Sequence, residues 1–218
     1  MEYAPIPHSA NGAARQEDIA NIVALLGSRL CHDLISPLGA IGNGVELLQM
    51  SGDWPALQSS PEMSLIEDAL QAARARIALF RVAFGSAGGS QRLPQAEFAA
   101  LVADAAKAGR MRITLDAPGD HGRGAVKLVM LSLMCMETAM PWGASVTISQ
   151  SGRDWLIRAE AERTRHNPTL WAWLGTPRSG SAQPSASEVH FPLLGLAAAE
   201  MSRPIRWSLT EAGAEIAF

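Results

Sequence analysis

The chain predicts an α+β fold: an N-terminal hairpin of two long helices, followed by a small sheet with helices on one face. Three observations carry that expectation. Apolar residues recur every three or four positions through the first long segment. One flexible stretch, GSAGGSQR (Gly85–Arg92), then interrupts the chain. Beyond it, short segments with strand-like alternation are interleaved with helical ones.

Residues 1–16 read as an extended arm, with neither the basic start nor the apolar core of a signal peptide. A first helix is expected from about Glu17 to Gln49, and SGDWPALQSSP (Ser51–Pro61) is turn chemistry. The second helix follows over roughly Glu62–Phe84, so residues 17–86 form a hairpin domain and residues 87–218 a second domain. In the second domain Phe98, Leu101, Val102 and Ala105 have the spacing of a buried helix face, ended by Gly109. MRITLDA alternates as a strand, and GAVKLVMLSLMCMETAM is a helix that is apolar on most sides. ASVTISQSGRDWLIRAEAE reads as two strands around a turn at Ser151–Gly152. A short helix in NPTLWAWLG, a longer one in SEVHFPLLGLAAAEM and a strand–turn–strand in IRWSLTEAGAEIAF complete the order.

Composition narrows the function. The formal net charge is −3, so no basic excess is available to neutralise nucleic-acid phosphates. The most apolar run, Ala125–Met136, contains Lys127 and is too short to span a bilayer, so no membrane partner is expected. Cys31 and Cys135 show no disulfide or metal-ligand spacing, which suits a reducing cytoplasm.

The first helix carries the chemistry. Ile19, Val23, Leu26, Leu30, Leu34, Leu38, Ile41, Val45 and Leu48 form an apolar stripe, with an eleven-residue drift between Leu30 and Ile41 around Pro37. His32 lies two residues from both Leu30 and Leu34, hence on the opposite side. There Ser28, His32, Ser36, Gly39 and Asn43 make a second stripe that is polar and mostly small. A two-helix hairpin cannot cover its own apolar faces, so a homodimer with a four-helix bundle is expected, with His32 outside. Pro37 removes one N–H and pushes against the Asp33 carbonyl, opening the backbone near the histidine. Cys31 and His32 point about 100° apart, which argues against a nucleophilic pair. No ligand follows His32 at i+4, which argues against a metal site.

CHDLISPLGAIGNGVELL resembles the H-box of two-component histidine kinases: histidine, acidic neighbour, apolar residue, and proline five after the histidine. With its flanks it is similar to the ChpT-type histidine phosphotransferases of alphaproteobacteria. The resemblance implies that His32 carries a phosphoryl group on a ring nitrogen and that Asp33 orients the ring or takes its proton. Arg29 would steady phosphate charge or meet a receiver surface, while Ser36, Gly39 and Asn43 face the partner. It implies no cofactor of the chain's own. The partners would be the receiver domain of a hybrid histidine kinase and the receivers of response regulators, with Mg²⁺ held by the receiver.

In histidine kinases an ATP-binding domain follows the hairpin, and the second domain is expected to be a degenerate version of it. Its helix LVMLSLMCMETAM lacks the asparagine that would hold Mg²⁺, leaving Glu137 as the one candidate carboxylate. DHGRG (Asp120–Gly124) matches the adenine-loop letters D-x-G-x-G but precedes that helix, so it reads as a turn opening it. PLLGLAAAE keeps one glycine of a G-L-G-L segment, and Trp171 and Trp173 stand where a flexible lid would be. The expected function is phosphoryl transfer between receivers through His32, without binding ATP. The competing readings are a non-transferring scaffold or anti-kinase, and an ATP-dependent kinase.

Overall fold

A computed structural model describes residues 10–51, 57, 60–86, 91–175 and 183–218, with side chains from residue 22 onward. Helix α1 spans Ala10–Met50 and α2 spans Pro61–Phe84. The helix thus begins earlier than the sequence suggested, and residues 10–16 of the expected arm are helical. Ala10, Ala13, Ala14, Arg15 and Gln16 are strong helix formers, and they outweigh Asn11 and Gly12. Residues 1–9 of that arm, most of the Ser51–Pro61 turn and the centre of the glycine linker (87–90) lie outside the described residues. Helix α1 continues through Pro37 without a break. Ser60 caps α2, accepting from the Met63 N–H at 3.1 Å, with Pro61 in the first turn where its missing N–H costs nothing.

The second half follows as β1 (Arg92–Leu93), α3 (Gln95–Ala108), β2 (Met111–Asp116), β3 (His121–Gly122), α4 (Arg123–Ala139), β4 (Ala144–Ser151) and β5 (Asp154–Glu160). Then come α5 (Pro168–Trp171), α6 (His190–Glu200), β6 (Arg206–Thr210) and β7 (Gly213–Ala217). Five strands form one sheet in the order β2-β4-β5-β7-β6, parallel between β2 and β4 and antiparallel elsewhere. Alternate residues Val146, Ile148, Trp155, Ile157, Ala214 and Ile216 are buried against the helices, so the helices cover one face. Helix α4 forms the centre of this core and is buried along most of its length, from Val126 to Met136. Trp171 is also in the core, packed on Phe191 and Trp207. The sequence reading misses β1 and β3, which pair as a separate two-stranded ribbon; two residues are too few to show alternation.

Helix α2 belongs to both halves. Its Leu79, Val82 and Ala83 join the core cluster of the sheet domain. Lys127 on α4 donates to the Gly85 carbonyl at 2.8 Å, tying the end of α2 to the same body.

Apolar residues of α1 fall into two rows, the first including Ala24 and Cys31, which lie outside the stripe read from the sequence. Ala24, Cys31, Leu38 and Val45 are spaced by seven residues and form the seam toward α2, with all but Leu38 fully buried. Gly27 lets the helices close, since a Cβ there would stand 2.9 Å from the Phe84 Cβ. Leu34, Ile41 and Leu48 repeat at the same interval one step around the helix and remain exposed, at 50%, 53% and 46%.

Candidate functional site

His32 stands on α1 with its side chain 80% exposed. Its Nδ1 lies 3.1 Å from Asp33 Oδ1, and the other carboxylate oxygen, Oδ2, accepts from Arg29 Nε at 2.8 Å. Arg29 and Asp33 are four residues apart and so share a helix face, while Asp33 is adjacent to the imidazole. The hydrogen bond from His32, helped by the Arg29 charge, holds the Asp33 carboxyl below its ordinary range. An ionised carboxylate can only accept, so Nδ1 carries a hydrogen, and in the neutral ring the lone pair is then on Nε2. An exposed imidazole with one nitrogen pinned and the other nucleophilic is suited to take an electrophile from a second molecule.

Of the other residues expected at this site, Ser36 and Asn43 are exposed and Gly39 is half-buried. No atom lies within 4 Å of the position a Cβ on Gly39 would take, so that surface is open. Ile35, one turn beyond His32, is 45% exposed, an apolar side chain that the sequence reading does not single out. The neighbouring Cys31 is buried, and burial pushes its thiol up, away from thiolate chemistry. Among the described residues, no group of three or more His, Cys, Asp and Glu side chains is placed to hold a metal ion. Nor is any described helix long and apolar enough to cross a membrane.

Residues 95–213 match the family described as histidine phosphotransferase C-terminal domain. The chain belongs to that family. The protein phosphotransferase ChpT of Brucella abortus is 34% identical over 139 residues, which cover 60% of this chain and 61% of that protein. The match thus spans less than two thirds of that relative's length. A solved structure of a bacterial phosphotransferase shares the fold, with a TM-score of 0.65 at 23% identity over 99% of both chains.

In this family member the second domain braces the hairpin through Glu137. Arg76 of α2 grips that carboxylate with two nitrogens, at 2.6 and 3.0 Å. The parallel fork of two charge-assisted bonds fixes the orientation of α2 against α4. The sequence reading singles out Glu137 as a stray carboxylate but has no signal for its partner, which lies 61 residues away. Beside it His190 is buried, with Nε2 3.0 Å from Thr138 Oγ1. DHGRG does open α4, as its order in the chain suggested: Gly122 is the cap residue and α4 starts at Arg123.

Proposed function

We propose that the chain is a dimeric histidine phosphotransferase of a phosphorelay. It takes a phosphoryl group from the receiver aspartate of a hybrid histidine kinase onto His32 and passes it to the receiver aspartate of a response regulator. The observation that carries this reading is the exposed His32 ring with Nδ1 hydrogen-bonded to Asp33.

Nε2 attacks the phosphorus of the aspartyl phosphate. The N–P bond forms as the P–O bond to the receiver carboxylate breaks, and the electron pair leaves on that oxygen. The ring gains positive charge, and Asp33 stabilises it or takes the Nδ1 proton, with Arg29 adding charge for the phosphoryl oxygens. Transfer to the second receiver runs the same step in reverse. Mg²⁺ belongs on the receiver, where it would neutralise phosphoryl charge during transfer. Ser36, Gly39 and Asn43 leave room for that domain.

The exposed Leu34, Ile41 and Leu48 row supports a homodimer, because a second hairpin supplies the missing half of a four-helix bundle. Glu137 supports a second domain that has left ATP chemistry: it occupies the helix where a kinase carries asparagine, and Arg76 engages it.

The test is transfer of label from a phosphorylated hybrid-kinase receiver to the protein, giving acid-labile, base-stable phosphate, with none acquired from γ-labelled ATP. His32→Ala should abolish the label. Receiver binding without label would instead identify a non-transferring scaffold, and label taken from ATP would identify a kinase.

A further inference from the structure

The groove between α1 and α2 carries a ladder of charge on the side of His32. Two contacts, seven residues apart on both helices, fix its register. A Cβ on Gly42 would overlap the Arg74 guanidinium, and Gln49 donates to the Glu67 carboxylate. One heptad further up, the same pairing sets Arg81 beside Ile35, one turn from His32. Burial raises the Cys31 thiol and the Arg81 charge opposes that shift, which agrees with this placement. Gly42 is four residues after Leu38, about 40° around from the seam, and His32 is one after Cys31, about 100° in the same sense. Leu34, three after Cys31, turns about 60° the other way. The ladder and the exposed apolar row therefore lie on opposite sides of the seam.

Arg81, Arg74 and Glu67 repeat by seven along α2, and His32, Gly39 and Glu46 repeat by seven along α1. Read from the His32 end, the groove is cationic at Arg81 and Arg74 and anionic where Glu67 and Glu46 stand. None of these four charges is neutralised. Arg74 donates to the Leu38 carbonyl at 3.4 Å, and Glu67 accepts from the Gln49 amide, both neutral groups. Among the described residues the four are in no ion pair, whereas Arg29 is already paired with Asp33. Like charges held together uncompensated attract a partner of the complementary pattern and repel one docked in reverse. An aspartyl phosphate is anionic, and a Mg²⁺ site beside it is built of carboxylates. That acidic end of a receiver must stand at His32 for transfer.

We propose that the ladder sets the direction in which a receiver docks: its acidic, phosphate-bearing end against Arg81 and Arg74, and a basic segment against Glu46 and Glu67. The docking direction presupposes the receiver partners of the proposed function, and it holds whether or not label is transferred. The four residues select and orient the partner; they do not act on the phosphoryl group.

The experiment is calorimetric titration of the full chain with the unphosphorylated receiver domain of the hybrid kinase used as donor, at about 0.05 and 0.5 M salt. R81E/E46K inverts the ladder and leaves the net charge at −3, since a change of −2 and a change of +2 cancel. It should bind the receiver roughly tenfold or more weakly at the lower salt, because like charges then meet at both ends, and the deficit should shrink at the higher salt. E46K alone should also weaken binding, whereas a partner drawn only by overall charge would bind that variant more tightly. Both positions are exposed, and a thermal midpoint within a few degrees of the unsubstituted protein verifies that the variants are folded. Equal or tighter binding by R81E/E46K or by E46K, or no binding of the receiver to the unsubstituted chain, overturns the proposal. Label transfer with equal binding leaves the phosphotransferase standing without the ladder; weakened binding with no label in any variant leaves the ladder standing on a scaffold.

Discussion

Acid should destabilise this protein through His190. The ring is 3% exposed in the first turn of α6, against Phe191, and it bonds Thr138. Burial lowers its pKa from 6.5 to about 4, although Glu137 and Glu188 pull the other way. A base with a depressed folded pKa is protonated first in the unfolded chain, so stability is full above about pH 6.5 and falls as pH drops toward 4. The limiting slope is about 1.4 kcal/mol per pH unit. Between pH 7 and pH 5 the loss comes to about 2 kcal/mol, a large part of a stability of about 5–15 kcal/mol. The assay is urea unfolding followed by tryptophan fluorescence at pH 7, 6 and 5, for the unsubstituted protein and for His190→Gln. The glutamine does not titrate, so the variant lacks this component while sharing every other titration. Unsubstituted protein should lose about 2 kcal/mol more than His190→Gln over that range. Parallel profiles for the two proteins would refute the reasoning.

Three other outcomes are expected. The unsubstituted chain should sediment as the proposed dimer and L34E/I41E as a folded monomer, because each large apolar side chain contributes about 1.5–3 kcal/mol when buried; an equal mass for the two rejects the second-hairpin interface. A double-mutant cycle of Arg76→Ala and Glu137→Ala should show a coupling of about 1 kcal/mol or more, since the fork is half-buried; additive losses would deny the brace. Gly39→Ala should raise stability by about 0.5–1 kcal/mol, because the added methyl meets no atom, yet slow phosphoryl transfer measured with a receiver; unimpaired transfer would show that the receiver does not approach there.

Much of the fold was legible because periodicity reports burial. The alternation in MRITLDA and around Ser151–Gly152 became β2, β4 and β5, and Gly109 does follow α3. The long stripe of α1 was legible as apolar, but its division into a row on α2 and a row in solvent was not. Residues three and four apart satisfy both rows, and the sequence does not say which neighbour covers which. The histidine side of α1 was readable from angle arithmetic, and Arg29 and Asp33 sit four apart on it, so that ion pair was within reach of local spacing. The Arg76–Glu137 fork was not: nothing local in α2 or α4 marks two residues that meet only when the domains pack.

Because the last turns of α2 are built into the interior of the sheet domain, and Lys127 fastens their end, the hairpin is no swinging arm. His32 is a fixed post. In the proposed relay, the domains that deliver and collect the phosphoryl group would have to travel to it.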